Sequence, residues 1–102
     1  MPVSGDRYPF NAANVDKSPD EAGVYALYDG DECIYIGRAK GDTTTIRSRV
    51  QDHLSGREGK CTQEATHYRR EVTSSPVSWE KELLEEFQIY RSRLPRCNKQ
   101  SA

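Results

Sequence analysis

The sequence of 102 residues has no long run of apolar side chains, so no segment is suited to crossing a membrane. Its start does not combine basic residues with an apolar stretch, and we therefore expect no secretory signal and a cytoplasmic location. An excess of basic residues is also lacking, because 15 Lys and Arg are balanced by 16 Asp and Glu. The overall charge thus gives no indication of a nucleic-acid-binding protein.

Cysteine is scarce and irregularly placed. Cys33, Cys61 and Cys97 are odd in number, lie far apart and form no CxxC motif. We expect them to be reduced thiols, as in most cytoplasmic proteins. A zinc site that uses Cys61, His67 and a further cysteine is an alternative, but the spacing matches no common zinc pattern.

Composition and length indicate one small domain over residues 1–102. Hydrophobic residues make up 34% of the chain and charged residues 30%, which is polar for a globular domain but not disordered. We find no internal repeat and no linker. Residues 1–21 are rich in Pro, Asn and Asp and are predicted to form an irregular arm, whereas residues 22–98 are predicted to form the core.

A β-hairpin is the first element predicted in this core. The β-prone segments 23–28 and 33–37 are separated by a turn at Asp29-Gly30, and Asp-Gly between two such segments is a strong hairpin signal. A third, weaker strand is predicted over 66–73. The three segments predict a small sheet that needs helices to cover it.

Two helices are predicted from apolar residues at helical spacing. The first covers 43–54, with Thr43 or Thr44 as its cap. Its apolar stripe consists of Ile46, Val50 and Leu54. The second begins at a Ser-Ser-Pro sequence, which favours a helix start, and covers 76–91. Its predicted buried stripe consists of Trp79, Leu83, Phe87 and Tyr90. The order β-β-α-β-α predicts an α+β fold.

Charge is distributed unevenly along the chain. Basic residues concentrate in 38–57 and 91–99, whereas acidic residues concentrate in 16–32 and 80–86. The two basic segments could form one face for a polyanion. Ordinary solvated charges explain the same pattern, and charge alone favours that simpler interpretation.

Several polar residues have the chemistry that phosphodiester hydrolysis requires: a base for water, a cation for the phosphate and an oxygen ligand for a metal ion. Tyr25 and Tyr35 are predicted to be cross-strand neighbours. Arg49 and His53 lie four residues apart and share a face of the first helix. Glu86 lies beside the buried face of the second helix, where a carboxylate could hold a hard cation.

Each of these residues also has a plain structural interpretation. Tyrosines of a hairpin are commonly half-buried, a single helical histidine is commonly structural, and Arg49 could be an exposed partner of a salt bridge. Glu80 and Glu85 are interpreted as members of a solvated acidic face. No one of these residues decides the function by itself.

Taken together, the set resembles the GIY-YIG nuclease family. The tripeptides Gly23-Val24-Tyr25 and Tyr35-Ile36-Gly37 are similar to the pair that this family places on adjacent strands. The family's downstream residues are matched, in the same order, by Arg49, His53, Glu86 and Asn98. The resemblance covers about residues 22–98, and the match in several parts is more specific than either tripeptide.

The resemblance implies a three-stranded antiparallel sheet flanked by helices and a DNA endonuclease that uses one divalent cation, Mg²⁺ or Mn²⁺. Glu86 is implied to hold the metal, Arg49 to contact the phosphate, and Tyr25 to be the first choice for the base. Tyr35 and His53 are implied to orient phosphate and water or to share the role of base.

The remaining expected roles concern DNA contacts and backbone geometry. Gly23 and Gly37 are expected to be structural, because glycine lets backbone segments approach closely at strand ends. The expected DNA contacts are Arg38, Lys40, Arg47 and Asn98, and Asn98 could instead brace the site.

Two departures from the family pattern leave alternatives open. Residues 41–45 look like a small insertion, so that Arg47 is a rival to Arg49 for the arginine role. Glu82 is similarly a rival to Glu86 as the metal ligand.

Functions of other classes also fit parts of the sequence. The chain could bind nucleic acid without cutting it, or cut only with a partner, since a single small domain has little surface for reading base sequence. A protein partner could supply target recognition, and a homodimer would help to cut both strands. A protein-interaction domain would explain the apolar stripe of the second helix but not the polar set. The sequence does not distinguish DNA from RNA, or repair from restriction.

Overall fold

Four antiparallel strands form a single sheet in this computed structural model, which describes residue 3 and residues 5–98. The strands are β1 (Tyr8–Pro9), β2 (Gly23–Asp29), β3 (Glu32–Ala39) and β4 (His67–Val72). Their order across the sheet is β1-β4-β2-β3, which makes β3 an edge strand. The α+β class predicted from the sequence is confirmed.

The predicted hairpin consists of β2 and β3. Gly30 in its turn has φ of +63°, a left-handed conformation that glycine adopts readily. In the register of the two strands Tyr25 lies opposite Gly37 and Leu27 lies opposite Tyr35. The tyrosine of the first tripeptide is therefore the direct neighbour of the glycine of the second.

The expected count of three strands is wrong, because the N-terminal arm adds β1. Tyr8 pairs with Tyr68 of β4. The hydroxyl of Tyr68 also donates to the Asn14 carbonyl at 3.0 Å and lies 2.6 Å from the Ser18 hydroxyl, so that side chains tie the arm to the sheet. A strand of two residues is too short to produce an alternating pattern, which is why the sequence did not reveal it.

Four helices accompany the sheet in the part of the chain that the structure describes: α1 (Ala12–Val15), α2 (Ile46–Ser55), α3 (Lys60–Gln63) and α4 (Pro76–Arg91). The predicted cap of α2 is wrong, because Thr45 caps it instead of Thr43 or Thr44. The Thr45 hydroxyl accepts from the Ser48 N–H at 3.3 Å, and the Thr45 N–H donates to the Ser48 hydroxyl at 2.9 Å. This reciprocal capping box fixes where α2 begins.

α4 covers the predicted residues but buries a shorter stripe than expected. Leu83 is buried, and Trp79 and Phe87 are partly buried against the sheet. Tyr90 is 78% exposed, so its predicted place in the buried stripe is wrong. Within residue 3 and residues 5–98, no helix has both the length and the apolar character needed to span a membrane.

The strands of the hairpin alternate their side chains between two cores. Tyr25 and Leu27 pack with Ile46 and Val50 of α2 on one face of the sheet. On the other face the core is built around α4, and its buried members from β2 and β3 are Val24, Ala26, Tyr28 and Ile36. Because neighbouring residues of a strand point to opposite faces, the hairpin supplies both layers.

Cys61 and Cys97 form a disulfide bond, so the expectation of three reduced cysteines is wrong for two of them. The Cys97 N–H donates to the Ile34 carbonyl at 2.8 Å, which holds the C-terminal segment along the outer edge of β3 and brings Cys97 to α3. Cys33 is a free thiol. Because Cys61 is used in the bridge, the alternative of a zinc site at Cys61 and His67 does not fit the structure.

We predict that the Cys61–Cys97 bridge contributes about 4 kcal/mol to the free energy of unfolding, by the chain-entropy relation for a closed loop of this size. The two cysteines are 36 positions apart in the sequence. Urea unfolding with and without a reductant measures the difference. The Cys33→Ser variant should show the same difference, and the Cys61→Ser/Cys97→Ser variant should show none. Equal stability of the oxidised and reduced wild type would contradict the prediction.

Candidate active site

A line of buried hydrogen bonds connects β2, α2 and α3. The Tyr25 hydroxyl lies 2.9 Å from Nε2 of His53, and Nδ1 of His53 lies 2.9 Å from the Thr62 hydroxyl. All three side chains are buried, and His53 is only 1% exposed. The sequence suggested that Tyr25 and His53 belong to one site, but it gave no indication of Thr62.

Gly37 makes room for this arrangement. A β-carbon at position 37 would lie 2.6 Å from the Tyr25 hydroxyl oxygen and 2.7 Å from Cε2 of Tyr35. At Gly23, a β-carbon would lie 2.6 Å from Cδ1 of Ile46 in α2. Both glycines of the paired tripeptides are therefore positions where side chains from elsewhere pass close to the backbone.

Burial keeps the Tyr25–His53 pair uncharged at neutral pH. Desolvation raises the pKa of Tyr25 far above its ordinary value, and the neighbouring Tyr35 raises it further against the opposing effect of Arg49. Desolvation also lowers the pKa of His53 to about 4, and the positive charge of Arg49 acts in the same direction. The phenol therefore keeps its proton, and the imidazole is neutral.

Arg49 brings a positive charge to this pair from one turn earlier in α2. Its charge lowers the pKa of Tyr25 against the larger effect of burial, and its Nη1 lies 3.3 Å from Oε2 of Glu58 and 3.6 Å from Oδ2 of Asp52. Its side chain is 24% exposed, so that it can reach a ligand in the solvent. Arg47, the rival in the sequence, instead donates from Nε to the Ser18 carbonyl at 2.9 Å.

Tyr35 lies between two cavities at the edge of β3. Its ring centroid is 4.8 Å from that of His53. One cavity, of about 350 Å³, is lined by Tyr35, Arg38, Lys40, Thr44, Arg49 and Glu80. The other, of about 520 Å³, is lined by residues that include Tyr35, His53, Glu58, Lys60, Thr62 and Asn98. We call the two cavities together the β3 groove.

Glu80 is the carboxylate that α4 presents to the β3 groove. Its Oε1 accepts from Nη1 of Arg38 at 2.6 Å, and its side chain is 14% exposed. Its charge also raises the pKa of both Tyr25 and Tyr35, although in each case burial is the largest cause. The expectation that Glu80 belongs to a solvated acidic face is wrong.

Glu86 is placed in a different part of the molecule. It lines a cavity of about 480 Å³ with residues that include Tyr28, Cys33 and Phe87, and it does not line the β3 groove. Six residues separate Glu86 from Glu80, which is about 240° around the axis of a helix, so the two carboxylates point in different directions. The rival Glu82 is exposed and lies with Trp79 and Glu85 at another surface of α4.

Asn98 makes two hydrogen bonds to the backbone of β3. Its Oδ1 accepts from the Ile36 N–H at 2.8 Å, and its Nδ2 donates to the Ile36 carbonyl at 2.9 Å. These bonds satisfy the outer edge of β3 between Tyr35 and Gly37. This is the geometry of a bracing residue, one of the two roles that the sequence left open.

The sheet, its helical layers and the polar groove at its edge together define the class of fold. A crystal structure of the GIY-YIG N-terminal endonuclease domain of UvrC from Thermotoga maritima, a point mutant bound to its catalytic divalent cation, matches with a TM-score of 0.66. The match covers 86% of this chain and 93% of that chain, at 21% sequence identity. The chain therefore has a GIY-YIG fold. No protein-family model and no curated protein sequence matches it.

We predict a specific pH dependence of stability from His53. Its pKa is about 4 in the folded chain and 6.5 in its ordinary state, so the unfolded chain binds the extra proton between these values. The contribution of His53 is thus complete above about pH 6.5 and is lost as the pH falls toward 4, by about 3 kcal/mol in total. Urea unfolding across this range should show a smaller loss in His53→Gln. Equal losses in the two proteins would count against a buried, neutral His53.

Proposed function

We propose that the chain is a metal-dependent endonuclease that hydrolyses phosphodiester bonds in DNA. The observation that carries the proposal is the β3 groove on a GIY-YIG fold, which is lined by a guanidinium, a phenol, an imidazole and a carboxylate, with a second, buried phenol hydrogen-bonded to the imidazole. The lining residues are Arg49, Tyr35, His53 and Glu80, and the buried phenol is that of Tyr25. They supply the base, the cation and the oxygen ligand that phosphodiester hydrolysis needs.

Arg49 would bind the scissile phosphate. A guanidinium donates two parallel hydrogen bonds to a phosphate and stabilises the charge that grows on it during the reaction. Glu58 and Asp52 lie against the guanidinium in this structure, so a phosphate would take over donors that these carboxylates now engage. Both carboxylates lie at the surface, so little interaction free energy is lost when water replaces Arg49 as their partner.

Tyr25 would accept the proton of the attacking water, directly or through a relay because its side chain is buried, with His53 taking the Tyr25 proton in turn. The hydrogen bond from the phenol to Nε2 provides the path for that second transfer. Burial opposes the charged forms of both residues, the phenolate of Tyr25 and the imidazolium of His53, because it raises the pKa of Tyr25 and lowers that of His53. The charge of Arg49 favours loss of the proton from Tyr25 but disfavours its gain by His53, because it lowers the pKa of both groups. Tyr35 would orient the phosphate and water.

Glu80 replaces Glu86 in our assignment of the metal ligand. Mg²⁺ and Mn²⁺ are commonly held by one or two carboxylates, with water and phosphate oxygens completing the coordination. Glu80 fits this donor set as a single carboxylate. Residue 3 and residues 5–98 contain no group of three or more His, Cys, Asp or Glu that could hold a metal ion. A cation bound there would share the carboxylate with Arg38 and, when bound, would neutralise charge on the scissile phosphate.

The DNA backbone would follow the β3 groove across Tyr35. Arg38 and Lys40 lie at one end and Lys60 at the other, and each can neutralise a phosphate. Arg47 would contribute less than the sequence indicated, since it is bound to Ser18. Target recognition by a protein partner remains part of the proposal, as does a homodimer that helps to cut both strands. So does a cytoplasmic location, in which the Cys61–Cys97 bridge would meet a reducing environment.

The first test is cleavage of supercoiled plasmid, branched DNA and a matching RNA by the purified chain, with Mg²⁺ or Mn²⁺ and with a chelator. We expect metal-dependent cleavage of DNA that falls by about 100-fold or more in Arg49→Ala. Arg47→Ala is the matched control, because it removes an arginine from the same helix outside the groove, and it should stay active. Tight binding of DNA without cleavage under any of these conditions would instead support the alternative, in which the chain binds nucleic acid without cutting it.

The choice between the two carboxylates is tested by a second pair of variants. We expect Glu80→Gln to lose about 100-fold or more of the metal-dependent rate, because it removes the charge that binds the cation. Glu86→Gln, on the same helix, should retain the wild-type rate. The reverse result would make Glu86 the metal ligand, as the resemblance implied. Unchanged rates in both variants would mean that neither carboxylate is the metal ligand.

A further inference from the structure

The His53 ring has a hydroxyl at each nitrogen. Nε2 lies 2.9 Å from the hydroxyl of Tyr25, and Nδ1 lies 2.9 Å from the hydroxyl of Thr62. Thr62 is 3% exposed, and the ring of Tyr35 packs on the imidazole at 4.8 Å. A neutral imidazole donates from one nitrogen and accepts at the other, so the two hydroxyls must take opposite roles.

The contacts of Tyr25 indicate which nitrogen accepts. Tyr25 is a phenol and Thr62 is an alcohol, and the phenol is the stronger acid and therefore the stronger hydrogen-bond donor. Nε2 of His53 lies within hydrogen-bonding distance of the Tyr25 hydroxyl, at 2.9 Å. An imidazole nitrogen is far more basic than a phenol oxygen, which directs the proton to Nε2. Nε2 therefore accepts, and Nδ1 carries the hydrogen.

We propose that Thr62 is a positioning residue that holds His53 in the Nδ1–H tautomer by accepting its hydrogen bond. In this tautomer Nε2 faces Tyr25 as an acceptor, ready to take the phenol proton. The tautomer follows from contacts within this chain alone, whereas its effect on the reaction rests on the proposed function.

Two features keep the Thr62 hydroxyl at its place. Threonine is branched at the β-carbon, which restricts rotation of its side chain. Its neighbour Cys61 is bonded to Cys97, and the segment of Cys97 is in turn bonded to β3. The short helix α3 is thereby linked to the strand that carries Tyr35, and the acceptor for Nδ1 is presented from a fixed direction.

The tautomer can be measured directly by ¹⁵N NMR of the imidazole in the metal-free, DNA-free protein near neutral pH. We expect wild type to show a protonated Nδ1 and an unprotonated Nε2. Thr62→Ser keeps a hydroxyl and should show the same state. Thr62→Val keeps the shape but leaves Nδ1–H buried with no acceptor, and should shift His53 toward the Nε2–H tautomer.

Cleavage kinetics test the consequence for the site. In Thr62→Val we expect kcat to fall by about 10- to 100-fold with KM nearly unchanged, as when an outer residue that orients a reacting group is removed. Thr62→Ser should restore kcat. Thr66→Val is the matched control, because it removes a threonine hydroxyl that contacts Nδ1 of the other histidine, His67, at 2.9 Å outside the groove.

The outcomes separate this inference from the proposed function. An Nε2–H tautomer in wild type, or an unchanged tautomer in Thr62→Val, overturns the role of Thr62 whatever the enzyme does. If Thr62→Val does not fold, the His53 tautomer is compared between the wild type and Thr62→Ala, with the same outcomes expected. The expected tautomers in a wild-type chain that cleaves no nucleic acid would uphold the positioning role and overturn the nuclease.

Discussion

The hydrogen bond between the Tyr25 hydroxyl and Nε2 of His53 joins the sheet to α2, and the arrangement of the site depends on it. Tyr25 can occupy this position because residue 37 is glycine, since a β-carbon there would collide with the phenol. The bond continues through His53 to Thr62, so that one line of contacts aligns three separate elements. Buried polar groups depend on such partners, because no other group compensates for the water they lose.

The arginines of the β3 groove are held in ion pairs with carboxylates, which the overall composition does not show. Arg38 is paired with Glu80, and Arg49 with Glu58 and Asp52, so the cations that could meet a phosphate are already next to carboxylates. In the second basic segment the pairing is different, since Arg96 is paired with Asp29 and Glu32 at the end of the hairpin. The interpretation as ordinary surface charge therefore suits Arg96, whereas the first basic segment contributes to the groove.

Much of the fold and part of the site could be predicted from local patterns. The hairpin, α2 and α4 have strong turn, capping or spacing signals, and Arg49 and His53 share a helix face by a four-residue spacing. Glu80 was missed because spacing along α4 shows which residues share a face but not where that face meets β3. Thr62 was missed for a similar reason, since it lies in a four-residue helix without any motif.

The sequence by itself determined the α+β class, the hairpin with its paired tripeptides, and the side-chain types available for chemistry. The strands, turn and helices of this fold depend on the conformational preferences of residues a few positions apart, which act before the chain is folded. Only the tertiary structure decided that Glu80 and not Glu86 faces the groove, that Cys61 reaches Cys97, and that β1 completes the sheet. Each of these is a contact between segments distant in the chain, and its geometry is set by how helices and strands pack, which no local pattern records.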